Sequence, residues 1–257
     1  MPGASEYDVT PLTGGPENHF FGYYDRCPWS ASGRYVLCHE SGFGDRAPEP
    51  GDSARIGIID TEKGNMFLPL AETEAWNWQQ GAMAQWPGKR EDVFIYNVIR
   101  DNSAYSKIVD IDGKTVSTID RPCYCLAPDG KTGLSIDFAR LGFYRPGYGY
   151  AGLSRHCLEE NRGNEGIWLF DVETGKRRLV VSYSALESFA GAGSSPVGNF
   201  YINHLSVNRE NSRCAFIYYR GMNRKNLRAH LITCGMDGEN MHRVTSGFIS
   251  HYGWGPA

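Results

Sequence analysis

One kind of turn recurs along this chain. Gly64, Gly113, Gly175 and Gly238 each sit between two short runs of alternating apolar and polar residues, and their successive spacings are 49, 62 and 63 residues. The runs read RIGIIDTEKGNMFLPL, YSKIVDIDGKTVSTID, GIWLFDVETGKRRLVV and RAHLITCGMDGENMHRVT. Period-two alternation puts successive side chains on opposite faces of a strand, and a glycine accepts the positive φ that a tight connection demands. Each unit is therefore a strand, a turn and a strand, repeated at a spacing typical of a supersecondary array.

A second hairpin precedes each of these. Ser32-Gly33 turns ahead of Tyr35 and Leu37, Pro87-Gly88 ahead of Val93–Ile99, and Pro128-Asp129-Gly130-Lys131 ahead of Leu134 and Ile136. Asn203–Arg220 supplies the fourth pair. Four antiparallel strands per repeat is the pattern of a β-propeller blade. The expected fold is all-β: one domain over 1–257, with blades near 18–70, 76–120, 121–182 and 202–246 and the first strand of a fifth in 248–257. An open count of that kind reads as an incomplete copy of a larger propeller, with two exposed blade edges. A TIM barrel or Rossmann domain would need amphipathic helices between its strands, and no sustained 3.6-residue period is present. Ser184–Ala192 offers at most one short helix in a loop.

Composition excludes several functions. The formal net charge is -3 and 21% of residues are charged, which gives no basic surface for nucleic acid. No run approaches the roughly 18–20 apolar residues of a membrane span. The opening MPGASEYDVTPLTGG has neither a basic nor an apolar leader region, so a cytoplasmic location is expected, or a periplasmic or secreted one if a leader was trimmed. The seven cysteines (27, 38, 123, 125, 157, 214 and 234) are irregularly spaced, and Cys123-x-Cys125 has no second pair with which to form a zinc site. They are expected to be reduced and mostly buried.

The stretch Arg121–Arg140, RPCYCLAPDGKTGLSIDFAR, holds the main candidate chemistry. Leu134, Ile136 and Phe138 recur with period two as in a half-buried strand, so the hairpin is expected to end on Tyr124 and Arg140, where a phenol and a guanidinium could face one small space. Other polar residues stand at similar blade openings: His19, Gln79 and Gln80 beside Trp78, His204 and His251. Inner strands of a propeller gather their ends at one mouth of the central channel, and cores avoid unpaired polar groups, so a site at that mouth is expected. His39 reads as structural, and His156, His230 and His242 are given no role. Tyr144, Tyr148 and Tyr150 in FYRPGYGY are candidates for a sugar-stacking lip.

The stretches HFFGYYDRCPWSASGRYVL, WNWQQGAMAQW, Tyr124–Arg140, NHLSVNRENSR and ISHYGW resemble the blade openings of the oligogalacturonate lyase and ulvan lyase group of seven-bladed propellers. That resemblance implies β-elimination on uronate-containing oligo- or polysaccharides. The uronate C5 proton is weakly acidic until the neighbouring carboxylate is neutralised, after which a base removes it and an acid protonates the leaving oxygen. By resemblance Tyr124, Arg140, His204 and His19 are the catalytic candidates. Gln79, Gln80, Trp78, Tyr148 and His251 are candidates for binding substrate. Oligogalacturonate lyases use a His- and Gln-bound divalent metal, so Mn, Ca or Zn on His204 and His251 is an open expectation. A non-catalytic TolB-like propeller that binds a protein or glycan is the alternative. A glycosidase would need two facing carboxylates, for which Asp25 and Asp137 are the only nearby candidates.

Overall fold

A computed structural model of the chain describes residues 9–153, 162–191, 199–221 and 226–255. They form four successive antiparallel sheets. Blade 1 contains β1 (Asn18–Phe20), β2 (Tyr35–Ser41), β3 (Ala54–Asp60) and β4 (Met66–Thr73). Blade 2 contains β5 (Val93–Arg100), β6 (Ser103–Asp110) and β7 (Thr115–Ile119). Blade 3 contains β8 (Cys125–Leu126), β9 (Thr132–Ser135), β10 (Gly166–Asp171) and β11 (Arg177–Ser182), with helices α1 (Phe138–Tyr144) and α2 (Tyr183–Phe189). Blade 4 contains β12 (Asn199–Val207), β13 (Arg213–Gly221), β14 (Arg228–Gly235) and β15 (His242–Gly247). No helix among the described residues is long and apolar enough to cross a membrane.

The middle strands are apolar because both of their faces are covered. β2 and β3 are buried along nearly their whole length, whereas β15 is exposed throughout. Leu37, Ile56, Trp76, Phe94 and Val98 form one core between blades 1 and 2. A larger core joins blades 3 and 4 through Tyr124, Leu134, Phe138, Phe200, Leu205 and Phe216.

The repeated turn glycine has a packing role beyond its turn. Gly113 and Gly238 have φ of 85° and 89°. A Cβ on Gly113 would lie 3.1 Å from the Leu70 carbonyl oxygen, and one on Gly238 would lie 1.9 Å from that of Val180. Leu70 is on β4 and Val180 on β11, so each of these turns docks against the outer strand of the preceding blade.

Three local expectations fail. Blade 2 has three strands plus an isolated bridge from Gln85 to Ile95. Its opening segment is bent, because the Asn77 side chain accepts from the Gln79 and Gln80 amides and Gly81 closes back on the Asn77 carbonyl. The strand through Phe138 stops at Ser135: the Asp137 carboxylate accepts from the Arg140 amide at 3.0 Å and caps α1. Finally, residues 248–255 form no strand. They pack over blade 4, where Tyr219 donates to the Ile249 carbonyl and Trp254 to Ser206.

Candidate functional site

Three blades meet at the hydroxyl of Tyr124. Cys125 pairs with Leu134, which seats the preceding Tyr124 at the inner edge of blade 3 with its own amide on the Leu134 carbonyl. The phenol donates to Asn203 Oδ1 at 2.7 Å and accepts from Gln80 Nε2 at 3.0 Å and from the backbone N–H of His204 at 2.8 Å. Gln80 belongs to the opening of blade 2, and Asn203 and His204 to β12 of blade 4. Tyr124 is 1% exposed, and burial holds its phenol protonated far above the ordinary tyrosine range, outweighing the opposing charge of Arg26.

The His204 amide takes this bond because the strand is bulged there. The β12–β13 register shifts between Asn203 and Ser206, and His204 has φ of 55°. A non-glycine residue in that region is strained and has to be held. Tyr124 holds its N–H and the hydroxyl of Tyr252 holds its carbonyl. The bulge aims the imidazole into a small aromatic cluster. The His204 ring centroid lies 5.5 Å from Tyr23, 5.4 Å from His251 and 6.4 Å from Tyr148. The Tyr23 hydroxyl contacts His251 Nε2 at 3.2 Å.

A cavity of about 280 Å³ opens beside this cluster, lined by Tyr24, Asp25, Arg26, His204, Tyr252 and Trp254 among others. Arg26 reaches across the blades, donating through Nη2 to the carbonyls of Tyr124 (3.2 Å) and Leu205 (3.3 Å), and pairs with Asp25 at 3.3 Å. Its Nε and the Nδ1 of His204 are buried without a hydrogen-bond partner among the described residues. Unpaired buried polar atoms on two residues of one cavity are the kind of valence a polar ligand completes.

The electrostatics set the protonation states. Burial, and then the charges of His251, Arg145 and Arg26, push His204 down to about 4, so its imidazole is neutral at pH 7. Burial and the hydrogen bond with Tyr148 hold Tyr23 well above the ordinary tyrosine value. The mouth thus combines a neutral imidazole, a protonated phenol and a guanidinium.

The residues singled out from sequence divide. Tyr124, Gln80, Tyr148, His204 and His251 come together here. Arg140 does not: it is 3% exposed on α1, with its guanidinium 4.8 Å from the Tyr183 ring and 4.4 Å from that of Phe200. The cap at Asp137 turned it away from Tyr124, and Arg26 stands in that place, 5.8 Å from the Tyr124 ring centroid. His19 pairs with Glu40 at 2.9 Å and packs on Phe67. Trp78 packs on Phe20, Trp76 and Phe43 and donates to the Arg46 carbonyl, while Gln79 is exposed on the turn. Of the three lip tyrosines, Tyr144 stacks on Tyr201 and Tyr150 is buried against Phe138, leaving Tyr148 at the mouth. His156 and Cys157 lie outside the described residues. Sequence reasoning missed Tyr23 and Arg26, although both lie in the conspicuous aromatic run HFFGYYDR.

His204 and His251 are close enough to share a metal, but no group of three or more His, Cys, Asp or Glu side chains among the described residues could hold one. Two imidazoles fall short of the donor sets of Zn, Mn or Ca.

No family model and no curated protein matches the sequence. Among solved structures, the chain is similar to an oligogalacturonate lyase from Vibrio parahaemolyticus, with TM-score 0.55 and 13% identity over 91% of this chain. The fold is that of a β-propeller. The likeness extends over 55% of that lyase, so the chain spans little more than half of its length. TolB from Acinetobacter baumannii is a weaker match, with TM-score 0.45 and 9% identity over 92% of this chain and 57% of that one.

Proposed function

We propose that this propeller carries a carbon–oxygen lyase site that cleaves uronate-containing glycans by β-elimination. The observation that carries the reading is one cavity at which a neutral His204, the guanidinium of Arg26 and, beside His204, a protonated Tyr23 converge. Arg26 pairs with the uronate carboxylate and makes the C5 proton more acidic. His204 accepts that proton as the C5–H bond breaks. The electron pair forms the C4–C5 double bond and expels the C4 oxygen, which Tyr23 protonates. Bound carboxylate also places a negative charge near His204, which raises its proton affinity from the low value of the free protein. His251, on the Tyr23 hydroxyl, is placed to return the proton.

Tyr124 takes a different part from the one its type invites. Its hydroxyl is occupied by three protein partners, so it positions His204 and does not touch substrate. The same saturation favours the second reading, a propeller that binds a glycan or protein without cleaving it.

The test uses pectate oligomers and ulvan as substrates and follows the ultraviolet absorbance of the new double bond. A rise on one of them that falls by roughly 10²-fold or more in His204→Ala and Arg26→Ala supports the lyase. No rise on either glycan, with the protein folded, refutes it, and calorimetric titration of the same glycans then tests the binding reading.

A further inference from the structure

Two thiols of blade 4 are in contact. Cys214 on β13 stands opposite Cys234 on β14, and their sulfurs are 3.4 Å apart. Both residues are buried. Opposed residues on antiparallel neighbours have Cα atoms about 4.5 or 5.5 Å apart, and both values fall within the span a disulfide accepts. Bonding requires the sulfurs to approach to about 2.0 Å, a closure of little more than one ångström that χ1 rotation provides. The other thiols differ. Cys123 and Cys125 are buried in two different cores, Cys38 reaches the Phe20 and His39 carbonyls, and Cys27 is exposed. Among the described residues, Cys214 and Cys234 are the pair in sulfur–sulfur contact.

We propose that Cys214 and Cys234 form a cross-strand disulfide when the protein matures in an oxidising compartment, against the reduced state expected from their spacing in sequence. The hydrogen bond between the two sulfurs lowers the Cys234 thiol below its ordinary value, and Arg213 adds to this, so Cys234 is the attacking thiolate. It displaces one sulfur of a disulfide oxidant such as oxidised glutathione, giving a mixed disulfide. The Cys214 thiolate then displaces the second sulfur. Two protons and two electrons leave the protein, and the oxidant is reduced to two thiols.

The bond lies next to the candidate site. Ala215 follows Cys214, and its carbonyl accepts from the Tyr252 hydroxyl at 2.6 Å, the same hydroxyl that holds the His204 carbonyl. A bridge here fixes β13 to β14 directly behind the wall of the cavity.

The experiment equilibrates the folded full chain in a glutathione buffer as oxidising as a secretory compartment, with sub-denaturing urea to permit local opening. Acid quenching, alkylation in denaturant without reductant and peptide mass mapping follow. Linked peptides of Cys214 and Cys234 are expected, with the other cysteines alkylated. Alkyl groups on both thiols, or Cys125 linked in place of either, overturn the proposal. As a second readout, dithiothreitol should lower the melting temperature of the oxidised protein by roughly 5–10 °C and leave Cys214→Ala unmoved. An oxidised protein whose melting is indifferent to dithiothreitol also counts against the bridge.

Discussion

Replacing Tyr124 with Phe removes one oxygen and leaves three buried partners to find others. The ring survives, with its packing at 5.9 Å on Phe138. Gln80 and Asn203 are each 2% exposed, and they carry a donor and an acceptor that can turn toward each other once the phenol is gone. The His204 N–H has no such recourse, because it is backbone and is aimed by a φ of 55°. A buried group left unpaired costs about 1–3 kcal/mol. One such loss is certain on this argument and two more are partly recoverable, so the substitution should destabilise by about 2–5 kcal/mol. Urea unfolding followed by the fluorescence of the six tryptophans measures this as a lower midpoint at unchanged slope. Proton NMR of the imidazoles supplies a readout that mere destabilisation would not move. If the bulge relaxes, His204 should titrate nearer the ordinary value of 6.5 than its native value of about 4. A Tyr124→Phe protein with wild-type stability and an unmoved His204 titration would show that the phenol does not hold the bulge.

Acid should weaken the fold earlier than carboxylate chemistry alone requires. Burial holds His39 at about 4, and burial with neighbouring charge does the same for His204, against 6.5 unfolded. The folded state therefore resists protons that the unfolded state accepts: stability is intact above about pH 6.5 and falls as pH drops to 4, by up to about 3 kcal/mol per residue. Unfolding midpoints that do not change between pH 7 and pH 4.5 would contradict this. Gly238→Ala, with φ of 89° and a Cβ 1.9 Å from the Val180 carbonyl oxygen, should cost roughly 2 kcal/mol or more. Gly175→Ala, whose Cβ has 3.7 Å of clearance from Thr118, should cost less than Gly238→Ala does. Equal midpoints for the two variants would remove the inter-blade role assigned to this turn.

The blades were legible because each one is written locally. Alternation and a turn glycine lie within about twenty residues of each other, and the spacing of the repeat then dictates the architecture. Convergence of Gln80, Tyr124, His204 and His251 could also be anticipated, because a radial array brings equivalent positions together. Arg140 could not be placed by the same reasoning. Ile136 and Phe138 keep a period of two across a point where one carboxylate, Asp137, caps a helix, so the residues after it follow a 3.6-residue period and Arg140 leaves the face that Phe138 keeps toward Tyr124. Arg26 was hidden for the opposite reason. It closes the aromatic run without a repeat partner, and only the three-dimensional closeness of blades 1, 3 and 4 shows that it reaches the Tyr124 and Leu205 carbonyls.

The phenol shared by blades 2, 3 and 4 bears on how such a protein can change over time. Propellers grow and shrink by copying or losing whole blades, and any blade that packs on its neighbours is acceptable in principle. Here one oxygen needs an amide from the blade before it and a strained peptide from the blade after it. Inserting, deleting or exchanging a unit between Gln80 and His204 would break that agreement even if every sheet remained intact. Any rearrangement that keeps this hydrogen-bonded phenol must therefore keep the three blades together and in order.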